Sequence, residues 1–306
     1  MSEDTSEAGR TVIPGAEPFS APGGPHGALV VHGFTGNPSS MRPLAQALAG
    51  VGFAVELPLL PGHGTSVDDM MPTRFVDWSA ALEACYLDLA GRTDSVVVAG
   101  LSMGATLAAW LATRHSRPGD GPGASHTGDG PGASHTGDTP GPSHTGDTPG
   151  PSHTGDTPGP GRIAGLIAVN GLFDPPADAF ADMLRTCLEQ GQDRLPGIGS
   201  DIAAPGVAEL AYEAAPIAGL LSLQEAVGEL HGRLGEVRCP VLILTSPQDH
   251  IVPPVSSDVL AERVSGPVER VTLARSYHVA TLDHDRDLVL ERSVEFALRV
   301  TADLAS

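Results

Sequence analysis

The 306-residue sequence predicts an α/β fold, with a mainly parallel central sheet flanked by helices and a small helical lid. Three observations predict it. Short apolar runs rich in β-branched residues recur along the chain, stretches with apolar residues at helical spacing separate them, and one proline-broken block interrupts the series. A hydrophobic content of 41% is enough to fill one large domain or two small ones.

Residues 1–10 are acidic and small and are expected to be disordered, with the structured domain running over 11–306. They carry neither the basic start nor the apolar centre of a signal peptide, and no apolar run approaches the length of a membrane span. A cytoplasmic protein without stable membrane insertion is therefore expected. The formal charge of -20 argues against nucleic acid or an anionic membrane surface as a partner, because both would be repelled. Oligomeric state is not legible. The three cysteines, Cys85, Cys187 and Cys239, lack metal-type spacing and read as reduced core thiols.

Residues 28–32 (ALVVH), 53–57, 95–99 (SVVVA), 163–169 (IAGLIAV), 241–245 and 268–273 read as strands buried on both faces. Between them, residues 41–50, 75–90 and 103–114 carry apolar side chains at helical spacing. From 116 to 160 the composition collapses into five nine-residue units, the last four reading SHTGDGPGA and then SHTGDTPGP three times. No hydrophobic residue larger than alanine occurs there, so a disordered insertion between a helix and the next strand is expected. Its regular histidines, His126, His135, His144 and His153, read as solvated repeat positions rather than metal ligands, since nothing preorganises them. Residues 171–234 are rich in alanine and leucine but broken by Pro175, Pro176, Pro196, Pro205 and Pro216. This block is the expected lid, because ligands in open α/β sheets bind beyond the carboxyl ends of the strands.

The chemistry-bearing signal is Gly100-Leu101-Ser102-Met103-Gly104, directly after the SVVVA run and at the start of a helix. Glycines on either side of a serine permit the sharp strand-to-helix turn that projects its hydroxyl into a cleft. A serine hydroxyl needs a base and an orienting acid, which follow such an elbow in the order acid, then histidine. Asp249 lies four residues past Thr245, and His278 five past Leu273, both in loops after strands. His250 and His284 compete with His278 for the base; Asp258, Asp283 and Asp285 compete with Asp249 but do not directly follow a strand. The turn His32-Gly33-Phe34-Thr35-Gly36 nominates the Phe34 amide, with that of Met103, as an oxyanion hole. His32 reads as a buried histidine bonded to this turn, and the Gly62-His63-Gly64-Thr65 turn as structural.

The blocks GALVVHGFTGNPSSMRPLAQALA, LPLLPGHGTS, VVVAGLSMGATLA, LTSPQDHIVPP and SYHVATLDHD resemble the bacterial carboxylesterase and monoacylglycerol lipase group of the α/β-hydrolases. The resemblance implies a serine ester hydrolase with Ser102 as nucleophile, Asp249 as acid, His278 as base and the amides of Phe34 and Met103 as oxyanion donors. It implies a small-molecule ester substrate, a short or medium acyl chain on a small alcohol, and no cofactor. The chain departs from the family at Ala105, where a further glycine is common, and in the 116–160 repeat, which has no counterpart. Leu210, Leu220, Leu221 and Leu223 are candidates for an acyl pocket and equally for plain helical core. Thioester or carbon–carbon bond hydrolysis on the same serine, and a non-catalytic ligand-binding protein, stand as alternatives.

Overall fold

The computed structural model describes residues 11–115, 162–175 and 177–302. The expectations for residues 1–10, for the 116–160 repeat and for its histidines fall outside the described residues. Nine strands and eight α-helices are described: β1 (Phe19–Ala21), β2 (His26–Val31), α1 (Arg42–Gly50), β3 (Ala54–Leu57), α2 (Val67–Met70), α3 (Phe75–Ala90), β4 (Ser95–Leu101), α4 (Met103–His115), β5 (Arg162–Val169), α5 (Asp178–Glu189), β6 (Arg194–Pro196), β7 (Ala214–Pro216), α6 (Ile217–Arg233), β8 (Val241–Thr245), α7 (Val255–Arg263), β9 (Val268–Thr272) and α8 (Arg286–Ala302).

The main sheet has the order β1-β3-β2-β4-β5-β8-β9. Every neighbouring pair is parallel except β1 with β3. Because side chains alternate across a strand, the sheet sorts its apolar residues into two cores. Leu29, Val31, Val96 and Val98 meet Leu82 of α3 and Leu107 and Leu111 of α4 on one side. Ala28, Val30, Val97 and Ala99 meet Leu44 and Leu48 of α1 and Phe296 and Val300 of α8 on the other. Burial on both faces explains why β2, β4 and β5 read as unbroken apolar runs.

One strand reading changes, and β1 is a strand that was not expected. The 268–273 run was expected to be buried on both faces, but β9 is an edge strand in which Val271 alone is buried; the exposed Arg270 and Thr272 mark its wetter face. Strand β1 carries too few residues to show a pattern, and stands by antiparallel pairing with β3, Phe19 opposite Leu57. No helix among the described residues is long and apolar enough to cross a membrane.

Between β5 and β8 the chain forms α5, the two-stranded ribbon β6–β7 and α6. Helices α5 and α6 share a small apolar cluster of Leu184, Ile217 and Leu221. The inner part of α6, through Val227 and Leu230, joins the main core instead. Residues 197–213 hold no regular element, consistent with Pro205 and with Gly199 and Gly206 at positive φ. The cysteines form no disulfide among the described residues; Cys239 is buried, while Cys85 and Cys187 are only partly so. Burial pushes the Cys85 thiol up to about 12, so it stays protonated and unreactive.

Candidate functional site

Strand β4 delivers Ser102 to a strained turn: its φ is 56, in the left-handed region that non-glycine residues avoid. The two flanking glycines make this turn possible. A Cβ on Gly100 would stand 2.2 Å from the Gly104 backbone, and one on Gly104 only 2.3 Å from the Val31 carbonyl oxygen. Helix α4 begins at the next residue, so its positive end faces the serine. Ser102 is tied to the neighbouring strand by its amide, which donates to the Val169 carbonyl at 3.0 Å.

Asp249 and His278 come from the loops after β8 and β9, and the structure brings them together. His278 Nδ1 lies 2.7 Å from Asp249 Oδ2, with 7% and 2% of the two side chains exposed. The other carboxylate oxygen accepts the amides of Ile251 and Val252, both at 2.8 Å. A carboxylate can only accept, so it selects the tautomer with the proton on Nδ1 and leaves Nε2 with a free lone pair. Ser102 Oγ makes no hydrogen bond among the described residues, so the third link, from Ser102 to His278, is not closed in this structure. The competitors are engaged elsewhere: His250 pairs with Asp201, Asp258 with Arg270, Asp285 with Arg275, and Asp283 with backbone amides.

Asn170, the residue after β5, locks these parts together. It sits at positive φ, and its side-chain amide donates to the carbonyl of His278 at 2.7 Å and to Ser246 Oγ at 3.0 Å. Its Oδ1 accepts the Ser246 amide at 2.8 Å. One side chain therefore joins the strand beside Ser102 to the loops that carry the acid and the base.

The turn after β2 packs against the serine, with a Cβ on Gly33 falling 3.5 Å from Ser102 Cβ. His32 holds this turn: its Nε2 accepts the Leu60 amide at 3.2 Å and its Nδ1 donates to Gly33 O at 3.0 Å. Burial pushes His32 down to about 4 and His63, which also faces His32, to about 3, so both are neutral at ordinary pH. Their rings meet edge-on 5.0 Å apart, and His63 meets Trp78 at 5.5 Å. Thr35 at φ 60 turns the chain after Phe34. The amides of Phe34 and Met103 donate to no acceptor among the described residues; that of Met103, first in α4, has none within its helix.

The segment between β6 and β7 adds three residues to the site that sequence reading missed. Tyr212 bridges the two glycine turns, its amide donating to Thr35 O and its hydroxyl to Gly62 O. Asp201 bonds to both His250 and the His278 amide. Glu209 presses its carboxyl against Gly36; burial raises its pKa, while the nearby His278 and Ser40 oppose the rise. A cavity of about 550 Å³ opens over Ser102, walled by Phe34, Leu172, Leu220, Leu223 and His250. Of the four leucines nominated from sequence, Leu220 and Leu223 face it. Leu221 packs on α5 instead, and Leu210 is 37% exposed and not part of the cavity lining.

The profile of the alpha/beta hydrolase family matches residues 28–292 of this chain. The chain belongs to that family. This hydrolase is 40% identical, over 290 residues, to a thermostable monoacylglycerol lipase from Bacillus sp. (strain H-257), covering 93% of this chain and 95% of that one. It is 21% identical to a carboxylesterase of Bacillus subtilis (strain 168), over 92% and 95% of the two chains. Among solved structures, a chain from the work on LipS and LipT, two metagenome-derived lipolytic enzymes, matches it with a TM-score of 0.76 and 33% identity, covering 94% of this chain and all of that one. The monoacylglycerol lipase of Paleococcus ferrophilus, at 16% identity and a TM-score of 0.61, shares the fold. The hydrolase is thus a serine esterase or lipase of the carboxylesterase and monoacylglycerol lipase group.

Proposed function

We propose that this hydrolase cleaves monoacylglycerols and simple esters of short to medium acyl chains, through an acyl-enzyme on Ser102. The observation that carries the reading is the buried 2.7 Å contact between Asp249 and His278 beside a left-handed serine that faces an apolar cavity. His278 Nε2 takes the proton of the Ser102 hydroxyl as the oxygen attacks the ester carbonyl, and Asp249 holds the resulting imidazolium. The amides of Phe34 and Met103 receive the oxyanion, each contributing about a hundred- to a thousandfold in turnover. The imidazolium then protonates the leaving alcohol, and a water molecule repeats the sequence to release the acid. No cofactor enters any step.

In this reading residues 171–234 are a lid, with Leu220 and Leu223 against the acyl chain. The cavity volume suits a ligand of drug or short-lipid size. The relative named as a monoacylglycerol lipase supports that choice of substrate. The test is Ser102→Ala: p-nitrophenyl butyrate hydrolysis and labelling by a fluorophosphonate probe should both vanish. Retention of a tenth of the activity would sink the assignment. A panel of monoacylglycerols, simple esters and acyl thioesters graded by chain length then ranks the substrates, and faster turnover of the thioesters would replace the proposed reaction.

A further inference from the structure

Asp201 belongs to no regular element, yet it touches both loops that carry the acid and the base. Its side chain is 13% exposed. Oδ1 lies 2.8 Å from His250 Nδ1, while Oδ2 accepts the His250 amide and the His278 amide, each at 3.1 Å. Its own carbonyl accepts the amide of Val279, also at 3.1 Å. One residue thus holds two successive amides of the base loop, together with the backbone and ring of the residue that follows Asp249. The His250 ring is further fixed edge-on against Tyr277, with centroids 4.5 Å apart, and forms part of the cavity wall.

The same stretch of chain is fastened a second way. The amides of Ala203 and Ala204 donate to Asp283, at 2.8 and 2.9 Å, and Asp283 also accepts the amide of Tyr277 at 2.8 Å. Asp283 therefore anchors the segment to the base loop through hydrogen bonds that do not involve Asp201. What Asp201 adds is a rigid span between the acid loop and the base loop at the level of the Asp249–His278 contact. Its carboxyl resists the desolvation that would raise its pKa; the hydrogen bonds from His250 and His278 hold it below the usual carboxylate range, so it remains a charged acceptor.

We propose that Asp201 is a positioning residue for catalysis, setting the distance and angle between Asp249 and His278 and holding His250 in the cavity wall. A small misplacement of a proton-transfer group is costly, with about a hundredfold lost for a shift of about 1 Å. The effect therefore falls on turnover rather than on binding. The inference rests on His278 acting as the base.

The experiment compares Asp201→Ala, Asp201→Ser and Asp201→Asn with the parent enzyme, using p-nitrophenyl acetate and a long-chain ester and recording thermal midpoints. Asp201→Ala should lower kcat at least tenfold on both esters while KM on the acetate stays within twofold. Asp201→Ser, too short to span both loops, gives the same readout if the alanine variant does not fold. Asp201→Asn keeps an acceptor for the His278 amide and a partner for His250, and should recover kcat to within about threefold of the parent. A kcat on the acetate that stays within threefold in Asp201→Ala or Asp201→Ser overturns the inference, as does an Asp201→Asn no better than they are. His278→Ala, assayed alongside, separates the two levels. Ester hydrolysis by that variant overturns both the base assignment and the inference, whereas an inactive His278→Ala beside an unimpaired Asp201→Ala overturns the inference alone.

Discussion

Gly104 leaves no room for a side chain, since a Cβ there would collide with the carbonyl oxygens of Val31 and His32, at 2.3 and 2.7 Å. Both obstacles are backbone, at the carboxyl end of β2 and the residue just beyond it, and cannot swing aside as a side chain could. Gly104→Ala is therefore expected to destabilise the protein by more than about 3 kcal/mol, read as a large fall in thermal midpoint or a loss of folded protein. Asp249→Asn makes the opposite kind of change, preserving shape while removing the acceptor that fixes the His278 tautomer. Turnover should fall by roughly 10³- to 10⁴-fold in steady-state assays, with the thermal midpoint moving by only a few degrees. At this scale the sequence exposes whatever sits next to a strand. Ser102, Asp249 and His278 each follow an apolar run within a few residues, and the structure puts the latter two in contact. Asp201, Glu209 and Tyr212 carry no such mark, and Asn170, although it directly follows the 163–169 run, has an amide side chain that takes no part in the expected triad chemistry. Their partners lie far off along the chain, as with Asn170 and His278, 108 residues apart, and only the folded sheet brings them near.

Among the elements, α6 governs the cavity. Leu220 and Leu223 look into it, and Gly219 lies close to Phe34 and Trp78. Leu220→Trp should shorten the space for an acyl chain. The ratio of kcat/KM for a twelve-carbon over a four-carbon ester is expected to fall about tenfold, the equivalent of one or two methylenes in a pocket. An unchanged ratio would place the acyl chain elsewhere. Elements buried on both faces were readable because their apolar runs are continuous, as in β4, where all seven residues are buried. The three-residue strands β1, β6 and β7 were not, since a strand that short has no period to detect and exists only by virtue of its partner. The irregular stretch 197–213 escaped for the same reason. Proline and glycine announced that regular structure stops, but not where the chain goes next.

For the molecule as a whole, the two buried histidines set an acid limit. Unfolding would return His32 and His63 from about 4 and about 3 to the ordinary 6.5. Below pH 6.5 the unfolded chain binds these protons first. The stability that both histidines hold above that pH is accordingly lost as pH falls toward their folded values. His32 alone accounts for on the order of 3 kcal/mol by pH 4. The urea midpoint should drop steeply between pH 6.5 and 4, and His32→Gln should flatten part of that slope. A profile level down to pH 4 would contradict the burial of neutral imidazoles.

The order of elements also bears on the nonapeptide repeat. Strands β4 and β5 are adjacent and parallel, and α4 already supplies the helix between them. Replacing residues 117–160 with a flexible linker of about ten residues is expected to leave kcat/KM and Tm unchanged within error, because loop length costs little.

Helix α6 is a wall of the cavity at one end and part of the hydrophobic core at the other. That double membership makes the routes to a new substrate unequal. Leu220 and Gln224 are only partly buried and line the cavity, whereas Val227 and Leu230, a turn or two further on, are packed into the body of the enzyme. Natural drift in chain-length preference should therefore concentrate in the first two turns of this helix and spare the remainder. Laboratory evolution confined to those few positions would explore most of the accessible specificities without loosening the fold.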